Sequence, residues 1–159
     1  MKVINLVING KSTTSIVGDR MTLADYLRDE QGLTGTRLGC EQGVCGACTV
    51  IVRKRPVRAC LYLAVQADGQ EIETIEGLAP NATELSPIQD AFRQGHAVQC
   101  GFCTSGMLLT AKALLDENPN PDEDTIRDWM HGNICRCVGY QQIIEAVQLA
   151  AEQNATETP

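Results

Sequence analysis

Three cysteines, Cys40, Cys45 and Cys48, fall within nine residues of the glycine-rich stretch "GCEQGVCGACTV", and a fourth, Cys60, follows after eleven more residues. C-x4-C-x2-C with one distant cysteine is the plant-type spacing for a 2Fe-2S cluster. Gly39, Gly43 and Gly46 let such a loop fold tightly and turn backbone N–H groups toward negatively charged sulfur. A structural zinc site is the alternative, because C-x2-C is also half of a zinc motif, although zinc usually takes two compact pairs.

The other four cysteines form a second set: Cys100 and Cys103 in "QCGFCTSG", Cys135 and Cys137 in "HGNICRCVGY". Each pair precedes a predicted helix, and helix N-termini carry partial positive charge and unpaired N–H donors that stabilise thiolates. Two such helix starts facing each other would hold four thiolates around one small cluster. Spacing alone leaves open a zinc site, or two cysteines buried as small hydrophobes.

The elements that must position these loops can be read from the pattern. "KVINLVI" has the apolar density of a strand, Asn9-Gly10 is a hairpin turn, and "KSTTSIV" returns as a second strand. Thr22 and Asp25 form a capping box ahead of a short helix running toward Gly32. "TVIVR", "PVRAC" and "QEIETIEG" supply three further strands. Strand signals then stop, and the boundary falls near residue 80, at the polar bridge "LAPNATEL". Ser86, Pro87 and Gln89 start the first of four predicted helices, over about 87–94, 104–117, 121–130 and 140–153, the third introduced by Asn120-Pro121. This predicts an α+β fold in two parts, a sheet domain over 1–79 and a helical domain over 80–153, with a frayed tail at 154–159.

With 159 residues, each half is short of core, and a cluster in each would act as a staple between distant segments. The chain is acidic, with 20 Asp and Glu against 13 Lys and Arg, and has no basic run suited to phosphates or an anionic membrane. Nucleic acid and direct membrane insertion are therefore not expected. No apolar run reaches the length of a membrane span or signal peptide, which points to a cytoplasmic protein, periplasmic only if a partner's export signal carries it. Eight cysteines in a reducing compartment belong to metals or redox chemistry.

The motifs "GCEQGVCGACTV", "RAC", "TIEGL", "QCGFCTSGM" and "GNICRCVGY", in that order, resemble the small iron-sulfur subunit of the molybdenum hydroxylases, the family that includes xanthine dehydrogenase, aldehyde oxidoreductases and carbon monoxide dehydrogenase. The resemblance covers about residues 2–150. It implies a ferredoxin-like β-grasp domain followed by an all-α four-helix domain, each with one 2Fe-2S cluster. It implies that a large partner subunit hydroxylates substrate at a molybdenum-pterin (molybdopterin) centre with oxygen from water. Electrons would then cross the C-terminal cluster and the N-terminal one to FAD in another subunit, or to a haem cytochrome. The family's pattern gives Gln99 a hydrogen bond to the pterin, and makes Cys137 a cluster ligand close to it. Ser105 and Val138 depart from the family, which commonly has proline and threonine there.

No catalytic residue is expected in this chain, since no Ser-His-Asp set, carboxylate pair or phosphate loop is evident. His131 suits a helix C-terminus, and His96 is not needed when eight cysteines complete two four-ligand sites. Arg136 stands between two thiolates, as a tuning charge or a partner contact. Trp129 is expected in a helix core or interface. The readings to be separated are an electron-transfer subunit of a molybdenum complex, a free-standing two-cluster ferredoxin, and a zinc-stapled interaction module.

Overall fold

In the computed structural model, which describes residues 1–157, strand β1 (Lys2–Ile8) sends Ile4, Leu6 and Ile8 into the core. Asn9 and Gly10 both have positive φ, 49° and 77°, and return the chain as β2 (Lys11–Val17). That turn geometry matches the twist of the paired strands and suits Asn-Gly. The register runs from Lys2 opposite Val17 to Ile8 opposite Lys11.

Thr22 caps α1 (Leu23–Asp25), accepting from the Asp25 N–H at 3.1 Å, and the chain widens into a π-helical segment, Tyr26–Glu30. The widening comes from the way the segment ends: Gln31 donates to Tyr26 O and Leu33 to Leu27 O, with Gly32 in the left-handed conformation between them. Leu23, Ala24, Tyr26 and Leu27 are buried against the sheet.

Strands β3 (Thr49–Val52), β4 (Arg55–Arg58) and β5 (Glu71–Glu73) complete the sheet in the order β2-β1-β5-β3-β4, with β1 and β5 parallel and the other neighbours antiparallel. Two predicted strands end early. β4 stops at Arg58, and a 3-10 turn, Ala59–Leu61, carries Cys60. β5 stops because Asn9 takes over the hydrogen bonds of Thr74: its Oδ1 accepts from the Thr74 N–H at 2.8 Å, and its Nδ2 donates to Thr74 Oγ1 at 2.9 Å.

The Thr74 hydroxyl donates to Glu76 Oε2, and Glu76 Oε1 accepts from Gly35 N–H at 2.7 Å, so "TIEGL" ties the hairpin to the loop that leads into the first cysteines. Glu76→Ala leaves the Gly35 N–H without this acceptor. It is expected to cost about 1 kcal/mol, read as a lower urea midpoint at unchanged m-value.

The second half is helical: α2 (Pro87–Gln94), α3 (Thr104–Glu117), α4 (Glu123–Met130) and α5 (Tyr140–Glu157). Gln89 accepts from the Ser86 N–H at 2.9 Å, as the capping pattern predicts. α4 begins later than predicted, because the Asp122 carboxylate caps it by accepting from Thr125 N–H at 2.8 Å. α5 runs on through 154–157, where a frayed tail is predicted; its next helix breaker is Pro159, and residues 158–159 lie outside the described part.

One hydrophobic cluster fills the space under the sheet and another the space between the helices. A third, of Ile51, Leu109 and Ala113 with Ile75 and Trp129 against it, joins β3 to α3. Lys112 on α3 adds ion pairs to Glu73 at 3.1 Å and Asp116 at 2.6 Å. Among the described residues, no helix is long and apolar enough to cross a membrane.

Candidate metal centres

The loop ahead of β3 folds back on its first cysteine. Backbone N–H groups of Cys45 and Gln42 point at Cys40 Sγ, with N···S distances of 3.3 and 3.4 Å. These donors, Cys45 foremost, hold the Cys40 thiol down to about 6. Positive φ at Gly43 and Gly46, 77° and 75°, makes the wrap possible, and a Cβ on Gly43 would meet Leu61 at 2.3 Å. The 3-10 turn after β4 brings Cys60 back against Cys48, and both are buried. Burial pushes the Cys48 thiol up to about 11. The first set is therefore an outer pair, Cys40 and Cys45, and an inner pair, Cys48 and Cys60.

Cys103 is the N-cap of α3, and Cys137 lies three residues before the start of α5. Cys137 Sγ stands 3.5 Å from Cys100 Sγ, and the thiols of Cys103 and Cys135 also meet. Val138 N–H points at Cys135 Sγ at 3.4 Å, while the Cys135 N–H donates to the Tyr140 hydroxyl at 3.1 Å. Burial pushes the Cys103 thiol up to about 12. Cys100 is lowered, chiefly by the Phe102 N–H, and Cys137 is raised by its hydrogen bond to Cys100. Cys100 and Cys137 are exposed, with Gln99 exposed beside them.

All eight thiols are free and stand as two sets, each made of two contacting pairs. A 2Fe-2S cluster needs that arrangement, with two sulfurs on each iron. A single zinc needs its ligands around one point at about 2.3 Å. Among the described residues, no three His, Cys, Asp or Glu converge in that way. The donor set and the glycine wrap fit the binuclear cluster.

The two loops interlock. Cys45 O accepts from Ile134 N–H at 2.8 Å, one residue from Cys135. The position a Cβ would take on Gly39 lies 3.3 Å from Phe102, which sits between Cys100 and Cys103. Gly46 O receives Asn133 Nδ2 at 3.5 Å and the Thr49 hydroxyl at 2.7 Å. Arg58 donates to Gly132 O and Asn133 Oδ1 from the far side.

Two family models cover the chain, one described as a 2Fe-2S iron-sulfur cluster binding domain over residues 6–79 and one as a 2Fe-2S binding domain over residues 74–148. The nicotine 6-hydroxylase small subunit of Paenarthrobacter nicotinovorans is 52% identical over 144 residues, which is 91% of this chain and 86% of that protein. The chain belongs to the small iron-sulfur subunits of the molybdenum hydroxylases. The structure of quinoline 2-oxidoreductase from Pseudomonas putida 86 superimposes with a TM-score of 0.93 at 51% identity, covering 99% of this chain and 98% of that one. Aldehyde oxidoreductase from Desulfovibrio gigas matches with a TM-score of 0.94 at 41% identity, covering 100% of this chain but 18% of that one, so there the same unit is part of a longer polypeptide.

In this iron-sulfur subunit, sequence reasoning passed over Arg58, Gly106, Thr110 and Asn133, the residues that join the two loops. Three of them sit inside the quoted motifs "RAC", "QCGFCTSGM" and "GNICRCVGY", as non-ligand positions of unusual type for their surroundings. His131 is the C-cap of α4, and His96 is exposed in a left-handed turn with φ 53°. Arg136 is exposed, and Trp129 packs in the cluster between β3 and α3. Ser105, a departure from the family pattern, buries a hydroxyl that has no hydrogen-bond partner among the described residues.

Proposed function

We propose that this subunit carries electrons from a molybdenum-pterin centre in a large partner subunit to a third subunit holding FAD or haem. One 2Fe-2S cluster is held by Cys40, Cys45, Cys48 and Cys60 in a β-grasp domain, residues 1–79. The other is held by Cys100, Cys103, Cys135 and Cys137 in a four-helix domain, residues 80–153. The observation that carries this reading is the grouping of eight sulfurs into two sets of two contacting pairs, with the loops bonded to each other between Cys45 and Ile134.

A bound 2Fe-2S cluster supplies one-electron uptake and release. The chain's own residues do the rest. Backbone N–H groups at Cys45, Gln42 and Val138 point at thiolate sulfur and stabilise its charge. The exposed edge formed by Cys100 and Cys137 would be the entry side, with the exposed Gln99 beside it as the residue that would hydrogen-bond the pterin. Val44 and Leu61, 60% and 63% exposed at the rim of the first set, give the accepting subunit an apolar surface to cover. The relatives named for nicotine and quinoline favour an N-heteroaromatic substrate for the complex, bound in the large subunit. On this reading the complex works in the cytoplasm, or in the periplasm if a partner's export signal carries it there.

The test is anaerobic purification of the full chain from its native source. Expected are a large molybdenum protein in the same complex, about four irons per chain with matching acid-labile sulfide, and two distinct paramagnetic signals on reduction. Zinc without sulfide overturns the reading in favour of a stapled module; both clusters in a chain that never joins a molybdenum protein would make it a free-standing carrier.

Iron removal provides a further check, because each set joins segments distant in sequence. Chelation of iron is expected to lower the melting temperature by roughly 10 °C. Amide exchange should rise in both 39–61 and 100–138; a rise confined to one loop would mean that only one set holds metal.

A further inference from the structure

Arg58 ends β4, two residues before Cys60, and its guanidinium spans the junction between the sulfur sets. Nη1 donates to Thr49 Oγ1 at 2.5 Å, and Thr49 follows Cys48 directly. Nη2 donates to Gly132 O and, at 3.1 Å, to Asn133 Oδ1, in the segment that leads to Cys135. Asn133 is only 1% exposed; its Oδ1 also accepts from Thr110 Oγ1 at 3.3 Å, and its Nδ2 reaches Gly46 O. One side chain thus holds the residue after a buried sulfur of the first set and the approach to a sulfur of the second.

Among the described residues, the three acceptors of Arg58 are neutral: a hydroxyl, a carbonyl and an amide oxygen. Asp128 shares a cavity with Arg58, Pro56, Thr110 and Trp129, but it is exposed on α4 and makes no ion pair with the guanidinium. A guanidinium stays charged in proteins, so a half-buried positive charge stands between two groups of thiolates. Four thiolates around two irons and two sulfides carry net negative charge, which grows by one unit on reduction. A fixed cation nearby therefore favours the reduced form.

Resting on the two-cluster reading above, we propose that Arg58 is a positioning and charge-compensating residue for electron exchange between the two sets. Its hydrogen-bonding fork fixes their spacing through Thr49, Gly132 and Asn133, and its charge raises the reduction potential of both. The electron leaves one cluster and arrives at the other, so no further reactant is involved.

The test compares the iron-loaded full chain with Arg58→Gln and Arg58→Lys, each checked first for iron and sulfide. Dithionite titrations followed by paramagnetic resonance give both potentials and the magnetic splitting between the two reduced clusters. Arg58→Gln is expected to lower each one-electron equilibrium constant on the order of tenfold, about 59 mV, and to change the splitting. Arg58→Lys keeps the charge without the fork, so potentials stay within roughly threefold of wild type while the splitting changes. Wild-type potentials and splitting in Arg58→Gln overturn the proposal, and so does a fall in Arg58→Lys as large as in Arg58→Gln. If Arg58→Gln loses iron, Arg58→Lys decides, and an unchanged splitting overturns. Lost stability with no movement in either potential would also overturn it, as a purely structural role. A wild-type chain without two iron-sulfide signals would fail the two-cluster reading itself, which the same titration detects first.

Discussion

Cys137→Ala is expected to abolish one of the two paramagnetic signals of the reduced chain and to remove about half of its iron, while the other signal keeps its wild-type position. Cys137 Sγ is 3.5 Å from Cys100 Sγ, so the pair that would hold one iron of the helical set loses one of its two sulfurs. The four sulfurs ahead of residue 61 share no contact with it: Cys40 pairs with Cys45, and Cys48 with Cys60. Exposure makes this replacement informative. Truncating an exposed thiol leaves no cavity, so iron loss is not a by-product of a damaged core. Cys103→Ala would be less clean, because Cys103 is half-buried and is also the N-cap of α3. Cys40→Ala should give the mirror result, sparing the signal that Cys137→Ala removes. Loss of both signals in Cys137→Ala, or of neither, would mean that the eight cysteines divide differently.

The Cys40–Cys48 loop and the two short cysteine pairs were legible in the sequence because their spacing and loop glycines are local, fixed within about a dozen residues, whereas the meeting of Cys100 with Cys137 joins residues 37 apart. The hairpin and the α2 cap were legible for the same reason, since Asn9-Gly10 and Ser86 with Gln89 act within a single turn. The end of β5 was not, because Thr74 leaves its strand for Asn9, 65 residues away. The start of α4 was missed for a different reason: Asp122 and Asn120 are both capable caps, and only the contact with Thr125 shows which one acts. The junction was the least legible part. Arg58 meets Asn133 across 75 residues, and Asn133 meets Gly46 across 87, so no window of sequence contains either pair. Gly106 and Asn133 lie inside quoted motifs, but nothing in those motifs says that they touch the other half.

Gly106→Ala is expected to pry that junction open. A Cβ on Gly106 would lie 2.2 Å from Gly46 O and 3.1 Å from Asn133 Nδ2. Gly46 O cannot swing aside freely, since it accepts from Thr49 N–H at 3.1 Å, from the Thr49 hydroxyl at 2.7 Å and from Asn133. Helix propensity pulls the other way, because alanine in place of glycine in α3 would by itself gain about 1 kcal/mol. Overpacking against fixed backbone costs about 3 kcal/mol, so the net loss is about 2 kcal/mol. For a chain of this size that lowers the melting temperature by roughly 4–8 °C. Gly18→Ala is the control: nothing lies within 4 Å of its Cβ position and its φ is not positive, so it should stay within about 0.5 kcal/mol of wild type. Stability in Gly106→Ala equal to that of Gly18→Ala would show that α3 and the 45–46 loop are not locked together. The displacement has a direction, with α3 moving away from the loop and stretching the bond from Ile134 to Cys45 O. Each cluster's own signal should therefore survive while the splitting between them changes, an outcome that general unfolding cannot produce.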